Sequence, residues 1–158
     1  MKMNKKGFTL IELLAIIVLL AVIASIGTLI VTRIINTFRI SAAERTCDGV
    51  ISATKNLYSI AVLRDASFDG VKLDFGTGDP NPAITWSNKA FSGDITFDMD
   101  KTKPTAGIIF VTRDGNLKGE PSTGEDGNVT YAASVLTVNG YTCTANMANE
   151  SITSYTCK

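Results

Sequence analysis

The chain has 158 residues, with 15 basic side chains, 15 acidic side chains and no histidine. This length predicts a single globular domain with an accessory segment. The balanced charge gives no general attraction to nucleic acid. The absence of histidine excludes histidine-dependent nucleophiles and histidine-ligated zinc sites. Hydrophobic residues make up 45% of the chain, and they are concentrated near its N-terminus.

An uncharged apolar run extends from Leu13 to Val31, close to the roughly 20 residues that cross a bilayer as a helix. Basic residues precede it at Lys2, Lys5 and Lys6. A basic flank stays on the cytoplasmic side of the membrane while the rest of the chain faces outward. The run has no small-residue cleavage site at its far end, unlike a secretory signal. We therefore predict a retained membrane helix, and a plain cytosolic protein is excluded.

A single carboxylate, Glu12, lies at the start of this run. Ionisable groups inside a membrane usually have a function, although an acid in the first turn also suits the positive end of the helix dipole. The sequence from Lys5 to Leu14 reads KKGFTLIELL. This stretch, with its basic leader and its apolar continuation, closely resembles the processing site of type IV pilins and pseudopilins.

The resemblance implies that a prepilin peptidase removes residues 1–7 by cutting after Gly7, and that it methylates the new N-terminus at Phe8. It also implies that Glu12 pairs with the Phe8 amine of a neighbouring subunit during assembly. A carboxylate and an ammonium are each costly among apolar helices, and they become tolerable when they neutralise one another.

Beyond the apolar run, apolar residues recur every three or four positions from Ala43 to Val62, which predicts an amphipathic helix that continues to about Leu63. Thr54 falls on the apolar stripe. We expect its methyl group to pack inward and its hydroxyl to bond to a carbonyl one turn earlier. The predicted organisation is a leader at 1–7, a membrane or fibre-core helix at 8–35, the amphipathic half of that helix at 36–66 and a head at 67–158.

Short strand-like segments separated by Gly, Pro, Asn and Asp occupy the head. Asp114-Gly115 and Asn139-Gly140 favour tight hairpin turns, and the composition of 69–82 and 120–128 predicts loops. One long helix packed on an antiparallel sheet is an α+β fold and also the pilin-like architecture. The predicted strands are Ala83–Trp86, Asp94–Asp98, Gly107–Arg113, Val129–Ala132, Val135–Val138 and Tyr141–Thr144.

The three cysteines, Cys47, Cys143 and Cys157, have no CxxC spacing, so a disulfide is favoured if the head leaves the cytoplasm. Closing the loop between Cys143 and Cys157 would stabilise the head by about 3 kcal/mol. The resemblance implies a disulfide-bounded region at this place in the chain, which favours this pair. A bond from Cys47 to either partner remains the alternative, with the third cysteine free.

The sequence predicts no metal site, no cofactor and no enzymatic activity, because it contains no nucleophile constellation. Loss of the three leader lysines would leave the mature chain net negative, so no specific nucleic-acid partner is predicted. The acidic residues of the head match no ordered calcium loop, and aspartates in such places commonly form turns. These residues are Asp69, Asp74, Asp79, Asp94, Asp98, Asp100, Glu125 and Asp126.

The resemblance implies a structural subunit of a bacterial type IV pilus that serves adhesion, motility or aggregation. The protein would first be a single-pass protein of the inner or cytoplasmic membrane with its head outside, and then part of an extracellular fibre. Its implied partners are its own copies and other pilins, the prepilin peptidase, the membrane and the pilus assembly platform. Two alternatives remain: a pseudopilin of a type II secretion or DNA-uptake apparatus, and a signal-anchored extracellular ligand-binding domain.

Overall fold

The computed structural model describes residues 9–79, 81–87, 94–99 and 102–158, with the side chains of all of these except 27–29. Within these ranges one long helix precedes a series of antiparallel strands, which confirms the predicted α+β class. The chain divides into two compact units, Met1–Arg39 and Ile40–Lys158. The elements are α1 (Leu10–Arg64), β1 (Gly70–Asp74), β2 (Ala83–Trp86), β3 (Ile108–Thr112), β4 (Leu117–Lys118), β5 (Pro121–Thr123), β6 (Val129–Tyr131), β7 (Val135–Val138), β8 (Tyr141–Ala148) and β9 (Ser151–Cys157).

The part of α1 that lies in the second unit buries one stripe of side chains, as the three-and-four spacing predicts. The stripe belongs to the same core as the inward faces of the strands. Thr54 is fully buried on it, and its Oγ1 donates a hydrogen bond to the Val50 carbonyl at 2.7 Å. The predictions for this threonine and for the end of the helix are both confirmed. The stripe consists of Ala43, Cys47, Val50, Thr54, Leu57 and Ala61.

The strands form three antiparallel sheets, with orders β2-β1-β3-β4, β5-β6 and β7-β8-β9. Side chains on successive residues of a strand point to opposite faces, so one face of each main sheet enters the core. In the four-stranded sheet, Val71 faces Val111 and Leu73 faces Ile109 across the β1–β3 ladder, and all four are fully buried. These cross-strand pairs link the centre of the sheet to the core.

A buried polar chain connects the two main sheets. The Ser134 hydroxyl donates to the Ile108 carbonyl at 2.8 Å and lies 2.8 Å from the Tyr155 hydroxyl. Because the serine proton is used on Ile108, the tyrosine must donate to the serine. The Ser134 carbonyl also accepts the Ala145 N–H at 2.9 Å. One buried serine therefore ties together the start of β3, the middle of β8 and the middle of β9.

Both hairpin turns predicted from dipeptides are confirmed. Asn139 and Gly140 have φ of 52° and 82°, the pair of positive values that the mirror-image two-residue turn between β7 and β8 requires. At the other turn, Gly115 has φ of 80°, and its N–H donates to the Thr112 carbonyl at 2.9 Å. Glycine accepts such values without steric cost, so these dipeptides fix where the strands reverse.

Several predicted boundaries are wrong. Segment Asp94–Asp98 forms no ladder in the described part of the chain. Its apolar alternation instead serves packing, because Phe97 is buried and makes an edge contact with Phe75 at 5.6 Å between ring centroids. The predicted loops at 69–82 and 120–128 contain β1 and β5. Strand β9 was not predicted, β8 continues past Thr144, and β3 and β6 are shorter than predicted.

Candidate functional site

The start of α1 is closed by a reciprocal pair of hydrogen bonds between Thr9 and Glu12. One carboxylate oxygen, Glu12 Oε2, accepts both the Thr9 N–H and the Thr9 hydroxyl, each at 2.9 Å. The Glu12 N–H lies 3.1 Å from the Thr9 carbonyl and 3.4 Å from the Thr9 hydroxyl oxygen. This arrangement is a capping box, in which a threonine precedes the helix and an acid three residues later reaches back to it.

The sequence predicts Glu12 as a helix-start acid or an assembly residue, whereas the capping role of Thr9 is not among the predictions. The signal that identifies Thr9 is the spacing T-x-x-E directly before an apolar run. The structure adds a partner within the chain for a carboxylate that the resemblance assigns to a neighbouring subunit. Both roles are compatible, because a carboxylate has about four acceptor positions and the cap uses one oxygen.

The apolar part of α1 exposes its side chains in every direction. Ile16, Ile17, Val18 and Leu19 are 47%, 55%, 55% and 61% exposed, and four consecutive residues in a helix of 3.6 residues per turn point to all of its sides. Ser25 donates its hydroxyl proton to the Ala21 carbonyl at 2.6 Å, which satisfies its donor within the helix. The helix is long and apolar enough to cross a membrane.

The two predicted processing residues, Gly7 and Phe8, lie outside the described residues. The described helix begins two residues after Phe8, at Leu10, with Thr9 as its cap. In this region the structure therefore places Glu12 and leaves the cut site and the methylation site as predictions from the motif.

A second group of predicted residues, the three cysteines, comes together in the core of the second unit. Cys143 and Cys157 face one another across the β8–β9 ladder and form a disulfide with a Cα–Cα distance of 3.9 Å. Cys47 is a free buried thiol. Its sulfur lies within 4.8 Å of both disulfide sulfurs. The spacing of cysteines in the sequence does not predict this contact, which depends on how α1 packs on β8 and β9.

The surroundings of Cys47 keep its thiol protonated. Burial, helped by the negative charges of Asp48 and Glu44, raises the pKa of the Cys47 thiol to about 12. Glu44 Oε1 also accepts the Cys157 N–H at 3.2 Å, so α1 is hydrogen-bonded to the end of β9 beside the cysteines. The pKa of Tyr155 is raised by burial, partly offset by its bond to Ser134 and increased by the nearby Cys47.

Among the described residues, these cysteines form the one group of three side chains close enough to hold a metal ion. A soft metal ion binds thiolates, and the disulfide removes two of the three. Three aspartates of the head form turns, while Asp100 lies outside the described residues. Asp74, Asp79 and Asp126 each accept the backbone N–H of the residue two positions later, at 2.8, 3.1 and 3.1 Å. The bonds from Asn128 hold the pKa of Asp126 below its usual value.

Residues 2–28 match the family model described as the prokaryotic N-terminal methylation motif. This motif is the type IV prepilin signature, so the resemblance at the N-terminus is confirmed. The match ends at residue 28 and does not extend into the head. No curated protein and no solved structure matches the chain significantly. The motif and the α+β layout support the class of type IV pilin-like prepilins. The motif implies a substrate of the prepilin peptidase, and the motif with the apolar helix fits anchoring in the membrane before assembly.

Proposed function

We propose that this protein is a structural, non-catalytic subunit of a type IV pilus-like surface fibre. The observation that carries the proposal is the methylation motif at residues 2–28, which leads into a helix with apolar side chains exposed on every side. A helix that is hydrophobic all round must be covered by lipid or by protein. A fibre subunit needs both environments in turn, first as a membrane protein and then in a bundle of helices.

The proposed assembly begins with cleavage after Gly7, which places a methylated amine on Phe8. The amine of one subunit then pairs with the Glu12 carboxylate of a neighbour as the helices leave the membrane. In a medium of low dielectric constant, each charge alone would oppose packing of the helices, and the pair removes most of that cost. The cap from Thr9 holds the carboxylate at the first turn, where an incoming amine can reach it.

The heads would then face outward for adhesion, motility or aggregation. The partners in this proposal are other copies of the chain, further pilins, the peptidase and the assembly platform. The proposed location changes accordingly from the membrane to an extracellular fibre.

The first test is mass spectrometry of the intact protein isolated from its own cells. We expect a chain that starts at Phe8 and carries one added methyl group. A Gly7→Val variant should keep the leader, because a branched side chain hinders close backbone approach at the cut. A wild-type chain that still starts at Met1 in purified fibres would overturn the proposal.

The second test separates the charge of Glu12 from its capping role. In Glu12→Gln the side chain still accepts at the third helical position of a capping box, so the helix should start normally while the charge is lost. We expect normal cleavage and loss of fibres by electron microscopy. Glu125→Gln, an exposed change in the turn between β5 and β6, is the matched control and should leave fibres intact.

Other outcomes separate the remaining hypotheses. Normal fibres from Glu12→Gln would contradict the role proposed for the charge. Absence of long wild-type fibres, together with loss of secretion or DNA uptake on deletion of the protein, would favour the pseudopilin. Retention of Met1 with full function in Glu12→Ala would favour the signal-anchored binding domain.

A further inference from the structure

The three buried cysteines are arranged so that the disulfide has a third sulfur beside it. Cys47 is 0% exposed, Cys143 is 0% exposed and Cys157 is 6% exposed. All three sulfur atoms lie within 4.8 Å of one another. Neither the methylation motif nor the proposed fibre function accounts for a free thiol at this place.

The structure favours Cys157 over Cys143 as the partner for reaction with Cys47. Glu44 lies three residues before Cys47, on the same side of α1. Its carboxylate accepts the Cys157 backbone N–H at 3.2 Å. This hydrogen bond holds the end of β9 against the helix turn that carries the free thiol, so a bond between α1 and β9 needs little movement of the backbone.

We propose that Cys47 is a built-in exchange partner of the Cys143–Cys157 disulfide. Cys47 loses its proton and its thiolate attacks Sγ of Cys157. A Cys47–Cys157 bond forms, the Cys143–Cys157 bond breaks, and Cys143 leaves as a thiolate that takes up a proton. The numbers of thiols and disulfides are unchanged, so no oxidant or reductant is needed. The covalent link moves from within the β8–β9 hairpin to between α1 and β9.

The groups around Cys47 keep this exchange slow at neutral pH. Glu44 and Asp48 on α1 are negatively charged, Tyr155 on β9 is neutral, and burial disfavours a thiolate. The thiolate is the attacking species. At pH values below the thiol pKa, each increase of one pH unit raises the thiolate fraction about tenfold. The exchange rate should therefore rise by a similar factor.

The test uses the full chain, purified in detergent micelles with its disulfide intact, and held at about pH 7 and about pH 9.5. Samples are quenched in acid, unfolded, alkylated with N-ethylmaleimide under mildly acidic conditions and digested without reduction. At the higher pH we expect the label to move from Cys47 to Cys143, with a linked Cys47–Cys157 peptide. The rate should not depend on protein concentration, because the reaction occurs within one chain.

A label that stays on Cys47 at both pH values would overturn the proposal. A label that appears on Cys157 would overturn the choice of Cys157 as the attacked atom. Cys47→Ser is the matched control and should show neither label nor linked peptide at any pH. These readouts on the wild-type chain do not depend on any variant folding.

A second measurement uses Cys143→Ser, which leaves Cys47 and Cys157. With oxidised glutathione as the oxidant, this variant should form the Cys47–Cys157 bond within one chain. The fluorescence of Trp86, the one tryptophan of the chain, is the check on folding. A folded Cys143→Ser variant that keeps both thiols free would contradict the proposed geometry.

Discussion

The two units use apolar side chains in opposite ways. In the first unit, large apolar residues remain exposed, from 83% at Leu10 to 42% at Ile35. In the second unit, Leu57 on the same helix is 2% exposed, and Leu136 on β7 is 0% exposed. Similar residues therefore stabilise the fold of a single chain in the second unit, and they do not do so in the first unit.

Hydrophobicity by itself therefore does not identify a core. The second unit has apolar residues on one stripe of α1 and on one face of each main sheet, so the surfaces can cover each other. The first unit has them on all sides of one helix, and a single helix cannot cover itself. Its apolar surface is available for lipid or for other chains, in agreement with the proposed function.

The largest expected effect tests this contrast directly on one helix. Leu57→Ala should lower the free energy of unfolding of the head by about 2–5 kcal/mol, because it removes buried methyl groups and leaves a cavity. Leu19→Ala, at a position that is 61% exposed, is the control and should change it by less than about 0.5 kcal/mol. Trp86 fluorescence during denaturant unfolding of the full chain in micelles measures both. Equal losses from the two changes would contradict the contrast between a second unit that buries its own apolar side chains and a first unit that does not.

The second expected effect concerns the disulfide of the second unit. The Cys143–Cys157 bond joins residues 14 positions apart, and the loop-entropy model gives about 3 kcal/mol for a loop of this size. In a Cys47→Ser background, where exchange cannot occur, reduction with dithiothreitol should lower the free energy of unfolding by about that amount. Unchanged unfolding after reduction would show that β8 and β9 are held by their ladder alone.

The N-terminal features could be predicted from the sequence because their causes are local. The T-x-x-E cap, the apolar run, the stripe through Thr54 and the two hairpin dipeptides each depend on residues a few positions apart. The capping role of Thr9 has a local signal of the same kind, although it is not among the predictions. The predicted role of Glu12 came from the family resemblance, and the structure shows only its contact within the chain.

The head was predicted less well because its strands depend on distant partners. Strand β1 has Gly76, Gly78 and a proline-containing segment after it, which favoured a loop, yet it pairs with β3 over thirty residues later. Strand β9 is rich in Ser and Thr and becomes a strand by pairing with β8. The approach of Cys47 to the disulfide depends on packing between elements, which no spacing in the sequence specifies.

The third expected effect concerns the buried polar chain of the head. Ser134→Ala leaves the Tyr155 hydroxyl buried without its acceptor and should cost about 1–3 kcal/mol. Tyr155→Phe removes the tyrosine hydroxyl itself and leaves Ser134 bonded to the Ile108 carbonyl. No buried donor is left without an acceptor, so the cost at neutral pH should be about 0.5–1.5 kcal/mol. Denaturant unfolding of both variants checks the order, and a larger loss from Tyr155→Phe would contradict this account.

The same tyrosine predicts a pH dependence. Its pKa is raised above 10.0 in the folded protein, so the neutral phenol stabilises the fold fully below about pH 10, and that contribution is lost as pH rises above it. In a Cys47→Ser background, the chain should therefore lose stability above pH 10 more steeply than the same chain with Tyr155→Phe. Parallel curves for the two chains would show that folding does not raise the pKa of this phenol.

The smallest expected effect lies at Thr54, where a polar group occupies the buried stripe of α1. Among the residues that the structure describes, its hydroxyl bonds to the Val50 carbonyl alone. As a helix-interior carbonyl, this group also accepts a backbone N–H one turn later. Thr54→Val keeps the shape and removes a group that gains little from this bond, so the free energy of unfolding should change by less than about 1 kcal/mol. Thr54→Ser keeps the hydroxyl and loses the methyl group, and should cost about 1 kcal/mol. A valine variant that is less stable than the serine variant would show that the core requires the hydroxyl at this position more than the methyl group. Burial of apolar groups alone would then not account for the difference between the two units.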